Sequence, residues 1–364
     1  MSAGRVINVV GCHAEGEVGD VITGGVLDVP APSMWHKLQH FLTHKDELRQ
    51  LLLNEPRGRS PKNTNLILPP CNPEAAAGFL IMESEEYAPM SGSNTICTAT
   101  VLLQTGMIPM QEPITKFSLD TAAGLVGVTA ECQGGKCKSV AFENVPAFVD
   151  RFDLQVDVPG IGTVSADIVW GGMWYAIVDA ASVGMTIEPS KGAKLVELGE
   201  RIKSALKAAY TPHHPENPEI KGISVLEFTE PLHQDTIGKV AKNTVVVSPG
   251  RLDRSPCGTG TSARMALLHA KGQLAVGEYF KHTSVIDTAF ECRISRTVKV
   301  GDIDAVVPII KGREHGSPAT SRSSWIQTTP FLPDSEWGTN GMSLISRRAT
   351  EAETFRCWEL AIDR

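Results

Sequence analysis

MSGSNT, residues 90–95, and PCGTGTS, residues 256–262, are two versions of one motif that decides the fold of this chain. In each version a small side chain with a hydroxyl or thiol group, Ser91 or Cys257, precedes a glycine and a further hydroxyl residue. These two side chains lie 166 positions apart, and each run closes on a glycine 15 residues later. Matched lengths and matched chemistry indicate two equivalent helix N-termini in a protein made of two similar halves.

Both motifs open a stretch with helical periodicity. Small or apolar residues recur at i, i+3, i+4 and i+7: Ile96, Ala99, Thr100 and Leu103 in the first stretch, and Ala263, Ala266, Leu267 and Ala270 in the second. That spacing predicts one apolar stripe on each helix. Hydroxyl residues at each start, with Pro256 in the second, are N-terminal signals, and Gly106 and Gly272 are C-terminal stops.

The start of a helix suits an anionic ligand. Its free backbone N–H groups and the positive end of its dipole attract a group such as a carboxylate, and glycine lets the ligand approach closely. The same field favours thiolate over thiol, which predicts that Cys257 is more reactive than an average cysteine. One substrate held between the two helix ends would be attacked from both faces.

Each motif taken alone also has a simpler interpretation. Ser91 would be only a helix cap, since serine often caps helices, and Cys257 only a small core residue. Two glycine-rich helix starts with matched lengths are improbable as independent accidents. The duplication therefore favours the functional interpretation.

Composition narrows the class of protein. A chain of 364 residues is long enough for two domains, and 42% hydrophobic with 21% charged residues is ordinary for a globular protein. A net charge of -7 without a basic block gives nucleic-acid binding little support. No long apolar run and no signal-peptide pattern occur, so we expect a cytoplasmic protein without a membrane partner.

The eight cysteines are expected to be reduced thiols rather than a disulfide framework. Cys132 and Cys137 have a metal-like spacing, but no second pair or nearby histidine completes a tetrahedral site. Residues 133–136, QGGK, are instead typical of a hairpin turn. We therefore predict no metal site, and no phosphate-loop or dinucleotide-binding glycine motif follows a strand.

Strands and helices are predicted in a similar order around the two motifs. Residues 35–53 and 190–209 are predicted to be helical, and residues 117–145 alternate apolar and polar side chains as antiparallel strands do. Short strands are predicted before each motif: residues 66–68 and 78–82 before the first, and residues 222–228 and 244–248 before the second. Strand-rich halves with one central helix each predict an α+β fold.

The predicted boundary between the halves is a linker near residues 144–146. We place the first half at residues 1–145, with a return of the chain after about residue 300. The second half occupies residues 146–300, and residues 314–364 form an atypical tail.

Four segments resemble the proline racemase family. DRSPCGTG, residues 253–260, is similar to the second signature of that family, and MSGSN, residues 90–94, is similar to the first, with serine where the racemases carry cysteine. CHAEGE at residues 12–17 and NEPRG at residues 54–58 are also similar to family segments. The resemblance covers roughly residues 5–313.

The resemblance implies a diaminopimelate-epimerase-like fold, in which two α+β domains face each other across a substrate cleft, and it implies no cofactor. It also implies that Ser91 and Cys257 are catalytic and flank the Cα of a proline-type amino acid. The substrate-binding positions would be Gly92, Ser93, Gly258 and Thr259 at the carboxylate and Asp253 at the ring nitrogen. The partner is thus a small-molecule substrate, with a homodimer as the possible assembly. His13 either lines the cleft or is a satisfied buried histidine.

The difference between Ser91 and Cys257 helps to choose between racemisation and elimination. Racemisation needs two groups that each act as acid and as base, whereas a serine hydroxyl ionises far less readily than a thiol. Elimination does not need two such groups. The Cα–H and the 3-OH of trans-3-hydroxy-L-proline lie on one ring face, so one side chain can serve both steps. The pair most resembles trans-3-hydroxy-L-proline dehydratases, which form Δ1-pyrroline-2-carboxylate. Family analogy favours Ser91 as the proton acceptor, and intrinsic acidity favours Cys257.

Two other functions stay open. The first is 4-hydroxyproline 2-epimerase activity in the same site, as the main or a side activity. The second is a catalytically inactive amino-acid-binding relative.

The resemblance ends abruptly at residues 311–313, KGR. Plausible codons for the following stretch, read in another frame, spell a segment close to the one that relatives carry. We hypothesise that residues from about 314 onward are out of frame, with a genuine divergent tail as the alternative. Their Ser/Thr/Pro/Arg-rich composition predicts poor order in either case.

Overall fold

The computed structural model describes residues 6–313, so the predicted atypical tail lies outside the described residues. Within that range the chain forms five α-helices: α1 (Met34–His44), α2 (Glu47–Leu53), α3 (Gly92–Gln104), α4 (Gly192–Ala209) and α5 (Gly258–Ala270). Two short 3-10 helices span Ala180–Val183 and Pro189–Lys191. None of these helices is both long and apolar enough to span a bilayer.

The described strands are short and numerous. In the first part of the chain they are β1 (Asn8–Val10), β2 (His13–Ala14), β3 (Glu17–Gly24), β4 (Asn63–Leu68), β5 (Ala77–Met82), β6 (Tyr87–Ala88), β7 (Ile114–Thr121), β8 (Gly124–Gln133) and β9 (Lys136–Glu143). Then follow β10 (Ala147–Val158), β11 (Gly162–Trp170), β12 (Trp174–Asp179), β13 (His213–His214), β14 (Asn217–Lys221), β15 (Val225–Thr229) and β16 (His233–Gln234). The last are β17 (Lys239–Val247), β18 (Arg251–Leu252), β19 (Phe280–Thr283), β20 (Ala289–Val300) and β21 (Ile303–Gly312).

One order of strand pairing occurs twice. In the first half, β3 is parallel to β4, β4 antiparallel to β5, β5 parallel to β7, and β7 antiparallel to β8. The second half repeats this order with β12, β15, β17, β19 and β20. A parallel pair needs a long crossover, and α3 and α5 are the crossovers at equivalent places. This repeat explains the similarity of the two sequence motifs.

The strands of the second half close into a ring. Successive pairings lead from β10 through β11, β12, β15, β17, β19 and β20 to β21, and β21 pairs again with β10. The end of β21 also pairs with β9, the last strand of the first half. Therefore β21 belongs to both halves and joins their strands.

The two central helices are buried by the surrounding strands. In α3 every residue from 92 to 103 is buried, and in α5 only Arg264 and the last two residues are not. The sequence predicts one apolar stripe on each helix, whereas the structure surrounds them on nearly all sides. Small side chains such as Ser93 and Thr98 make this burial possible. Helices α1, α2 and α4 pack outside this centre, against the cores of their own halves.

Local signals place most other elements correctly. Gly106 and Gly272 adopt positive φ angles of 74° and 69° just after α3 and α5, as the predicted stops require. The predicted hairpin joins β8 to β9, with Cys132 opposite Cys137. The predicted single helix over residues 35–53 is wrong, because two helices, α1 and α2, occupy that range.

Candidate active site

The N-termini of α3 and α5 meet head to head at two glycines. A Cβ atom placed on Gly92 would lie 2.5 Å from the Cα of Gly258, and one placed on Gly258 would lie 2.4 Å from the Cα of Gly92. The ring of Phe142 closes the same space, with its Cζ 2.6 Å from a Cβ on Gly92. Only glycine allows two backbones to approach so closely. The two helix starts therefore present their free N–H groups to one shared space.

Ser91 lies at the N-cap position of α3, but its side chain makes no capping hydrogen bond to the helix. Its Oγ instead accepts a hydrogen bond from Asn94 Nδ2 at 2.9 Å and lies 3.4 Å from Ser93 Oγ. Asn65 Nδ2 in turn donates to Asn94 Oδ1 at 2.8 Å. The side chain of Ser91 therefore does not cap the helix, and neither of these two contacts of its Oγ is with a base.

Cys257 occupies the equivalent place before α5. Its backbone has a positive φ of 58°, a region that a residue with a side chain adopts at a cost of about 1–3 kcal/mol. Its backbone N–H donates to Ser255 Oγ at 3.0 Å, and its Sγ lies 3.1 Å from Tyr175 Oη. Tyr175 Oη also lies 2.7 Å from Thr259 Oγ1. The structure thus holds the thiol in a strained and hydrogen-bonded position.

The thiol of Cys257 is less acidic than the sequence predicts. Burial is the largest effect and raises its pKa well above the usual value, and the negative charge of Asp253 raises it further. Hydrogen bonds from Tyr175 and from the backbone N–H of Gly260 act in the opposite direction but are outweighed. The prediction of a more reactive thiol considered only the helix end and omitted burial, so it is wrong.

Asp253 lies beside the start of α5 and is buried. Its Oδ1 accepts hydrogen bonds from the backbone N–H and the hydroxyl of Ser255, both at 2.8 Å. Burial, with the nearby charge of Glu17, raises the pKa of Asp253 to about 8, although Arg251 and Ser255 lower it. At neutral pH this carboxyl group is therefore mainly protonated.

A wall of charged and polar side chains faces the helix ends. Arg251 Nη1 donates to Glu17 Oε1 at 2.6 Å, and Nη2 donates to Asn63 Oδ1 at 3.0 Å. Glu83 Oε2 lies 3.5 Å from Arg251 Nη2, and Glu17 Oε2 accepts from the backbone N–H of Arg254 at 3.2 Å. Because Glu17 begins β3 and Arg251 begins β18, this network connects the two halves across the cleft.

These groups line one small, narrow cavity between the two helix starts and the strands. Its walls are polar on one side and apolar on the other: Glu17, Asn63, Glu83, Ser91, Ser93, Arg251, Asp253, Cys257 and Thr259 on the first, and Met173, Tyr175, Val225, Val245 and Val247 on the second.

Of the eight predicted site residues, five line this cavity: Ser91, Ser93, Asp253, Cys257 and Thr259. Gly92 and Gly258 form the contact between the helix starts. His13 lies on β2, is half-buried, and is not among the lining residues. No group of three or more His, Cys, Asp or Glu side chains within residues 6–313 is placed to hold a metal ion.

Sequence reasoning assigned no role to Tyr175, Asn63, Glu83 or Arg251. Each belongs to a short strand or to a turn after one, and each reaches the cavity only through the pairing of distant strands. Glu17 was part of a family-like segment, which is the one signal that pointed to it. Tyr175, Asn63, Glu83 and Arg251 carried no local signal of function.

The proline racemase family model matches residues 9–324, so the match continues beyond Arg313, where the resemblance was predicted to end. A hydroxyproline epimerase from Agrobacterium vitis, solved with bound trans-4-hydroxy-L-proline, is 39% identical with a TM-score of 0.81. That alignment covers 85% of this chain and 90% of the epimerase. A probable proline racemase from Agrobacterium radiobacter K84, solved with bound carbonate, is 38% identical with a TM-score of 0.83, over 90% of this chain and 94% of the other.

A more distant structure shares the fold alone. A phenazine biosynthesis protein of the PhzF family from Bacillus anthracis is 11% identical with a TM-score of 0.53, over 85% of this chain and 96% of that one. This likeness extends the fold beyond amino-acid racemases and epimerases.

Proposed function

Since the chain belongs to the proline racemase family, we propose that it dehydrates trans-3-hydroxy-L-proline to Δ1-pyrroline-2-carboxylate and water without a cofactor. The family includes racemases and epimerases, which act at the Cα of an amino acid. The observation that carries the finer proposal is the unlike pair at the two helix ends. Ser91 has an amide donor as its partner and no base, whereas Cys257 is a buried thiol beside a phenol.

The substrate would bring three polar groups to this cavity. Its carboxylate would accept hydrogen bonds at the two helix starts, from Gly92, Ser93, Gly258 and Thr259, where free N–H groups and the helix dipoles favour an anion. Its ring nitrogen would lie against Asp253. The apolar wall of Met173 and three valines would cover the ring carbons.

A neutral serine can serve both steps of this elimination. The Cα–H and the 3-OH lie on the same ring face, so the Ser91 oxygen can receive the Cα proton while its own proton passes to the departing hydroxide. The Cα–H and C3–O bonds break, a C2–C3 double bond and water form, and Ser91 ends as a hydroxyl group. The enamine product then takes a proton at C3 and loses one from nitrogen to give the imine. No alkoxide is required, which suits a hydroxyl group without a base.

Asn94 supports this role by occupying one lone pair of Ser91. Its Nδ2 donates to Ser91 Oγ at 2.9 Å, and Asn65 Nδ2 orients the Asn94 amide by donating to its Oδ1. A hydroxyl group that accepts at this side keeps its own proton and its second lone pair for the ligand. The Asn65–Asn94 pair would therefore orient Ser91 toward the substrate.

Inversion of 4-hydroxyproline at Cα is the second candidate function. The hydroxyproline epimerase from Agrobacterium vitis favours it, because that enzyme is 39% identical and was solved with trans-4-hydroxy-L-proline. Inversion needs a proton donor on the opposite face, and Cys257 is the group in place for it. We also infer that the repeated pairing order marks two domains of the diaminopimelate-epimerase-like kind, residues 1–145 and 146–300.

Incubation with each hydroxyproline in D2O, followed by NMR, tests these functions. Formation of Δ1-pyrroline-2-carboxylate from the 3-hydroxy isomer supports dehydration, whereas inversion of the 4-hydroxy isomer with deuterium at Cα supports epimerisation. Binding of either compound without turnover would identify an inactive amino-acid-binding relative.

Ser91→Cys and Ser91→Ala separate the two reactions at the residue level. A second thiol provides two groups of similar acidity, so Ser91→Cys should raise inversion relative to dehydration. Ser91→Ala is the matched control and should lose both reactions with an unchanged melting temperature. If Ser91→Cys dehydrates as fast as the wild type and gains no inversion, the assigned role of Ser91 is wrong.

A further inference from the structure

We propose that Tyr175 is a positioning residue that sets the proton affinity of Cys257 by donating its phenolic hydrogen to the thiolate form. The inference rests on the proposed place of Cys257 beside the substrate Cα. It gives a role to a residue for which the sequence offered none.

Tyr175 lies on β12, and its hydroxyl group ends between two side chains at the start of α5. Its Oη is 3.1 Å from Cys257 Sγ and 2.7 Å from Thr259 Oγ1, and Sγ is 3.7 Å from Oγ1. All three side chains are buried and line the cavity. Three groups that each can donate and accept one hydrogen bond therefore form a triangle.

The hydrogen positions in this triangle depend on the state of the sulfur. When Cys257 is a thiol, its S–H can donate to Tyr175 Oη while the phenol donates to Thr259 Oγ1. When Cys257 loses its proton, the phenol can turn its O–H toward the sulfur, and Thr259 can donate to the phenol oxygen. A neutral hydrogen bond is thereby replaced by a charge-assisted one, which is roughly twice as strong.

Cys257 needs this donor because its surroundings oppose ionisation. The titratable groups that act on its pKa are Asp253 and Glu227, whose negative charges raise it, in addition to burial. Tyr175 is the side chain whose hydrogen bond lowers it. Burial also raises the pKa of Tyr175 well above its usual value. The phenol therefore keeps its proton at neutral pH and remains a hydrogen-bond donor.

The test is the pH dependence of Cys257 alkylation by iodoacetamide in Tyr175→Phe, followed by mass spectrometry of the peptide that contains Cys257. A hydrogen bond to a charged group contributes enough to raise the inflection by about one to two pH units when it is lost. At a fixed pH below the inflection, alkylation should slow about tenfold to hundredfold. An unchanged inflection would overturn the proposal.

Tyr210→Phe is the matched control. It removes the same atom from a tyrosine whose Oη donates to Asp150 Oδ2 at 2.6 Å and which is not among the cavity-lining residues. Its alkylation profile should coincide with that of the wild type. Equal shifts in the two variants would indicate a general effect on the fold and would also overturn the proposal.

Replacement of the four tyrosines by 3-fluorotyrosine gives a test of opposite sign that keeps the side chain in place. A more acidic phenol is a stronger donor, so the inflection should move to lower pH, and it should stay fixed when Tyr175 is already phenylalanine. A fluorinated wild type with an unmoved inflection would count against the role. Alkylation requires no substrate. Failure of the protein to convert hydroxyproline would therefore refute the proposed function, while the alkylation profiles would still test the role of Tyr175.

Discussion

Gly92→Ala tests whether the contact between the two helix starts builds the site. In the structure a Cβ on Gly92 would lie 2.5 Å from Gly258 Cα and 2.6 Å from Phe142 Cζ. Carbon atoms in contact prefer about 3.5–4.0 Å, so the neighbours must give way by roughly 1 Å. One of those neighbours is backbone, and a change of rotamer cannot relieve the overlap. Helices α3 and α5 must therefore move apart.

The expected cost follows from that displacement. Overpacking of this kind destabilises a protein by about 1–3 kcal/mol, and only part of it is offset by the gain from replacing glycine in a helix. Activity should suffer more than stability, because a misplacement of about 1 Å between reacting groups can cost roughly a hundredfold in rate. We therefore expect kcat/KM for hydroxyproline to fall about a hundredfold in a protein that remains folded.

Urea unfolding and kcat/KM, measured on the same preparations, check this result against Gly192→Ala. Gly192 also begins a helix, α4, but a Cβ there would meet only Leu252 Cδ1, at an ordinary 3.6 Å. The control should be neutral or gain about 0.4–1 kcal/mol, with full activity. Wild-type activity in Gly92→Ala, or an equal loss in both variants, would refute the argument from close approach.

Three further predictions concern ionisable groups. Cys257→Ala should abolish inversion of 4-hydroxyproline while dehydration falls less, and equal losses measured by NMR would contradict the placement of Cys257 on the opposite face from Ser91. Because the pKa of Asp253 is raised to about 8, a zwitterionic amino acid whose ammonium group lies against Asp253 should bind with release of a proton below that pH. Its affinity by calorimetry should rise with pH up to about 8, and a flat profile without proton release would contradict this. Burial raises the pKa of Glu227 from 4.5 to about 8, so the stability that its proton confers is lost as pH rises through about 8. Glu227→Gln should therefore gain stability relative to the wild type between about pH 5 and 8, and urea midpoints that run parallel would show otherwise.

The sequence could predict the two helix starts because their signals are local. Ser91, Cys257 and the stop glycines each act within one turn of their own helix, and the duplication made the pattern specific. The break between α1 and α2 carries no glycine or proline at the junction, THKDE at residues 43–47, so periodicity extended one helix across it. The burial of α3 and α5 on nearly all sides could not be predicted from the sequence either, because it depends on strands that are far away in the chain.

The wall of charged and polar side chains could not be predicted from the sequence for the same reason. Arg251 and Glu17 are 234 positions apart, and only the pairing of strands in two halves brings them to 2.6 Å. Tyr175 is 82 positions from Cys257 and carries no motif of its own. A pattern along the chain identifies groups at a helix end, whereas their partners come from the tertiary structure.

Burial gives the cleft an electrostatic state that suits a zwitterion. Asp253 and Cys257 are both held protonated by burial, and the buried charge of Arg251 is offset by Glu17. In the proposed binding mode an amino acid would bring a carboxylate to the helix ends and an ammonium group to Asp253, which could then give up its proton. Each charge of the ligand would thus meet a group that is otherwise neutral or dipolar, so the occupied site would contain no unpaired buried charge. A neutral analogue that lacks the ammonium group would leave Asp253 protonated, and its binding should therefore release no proton.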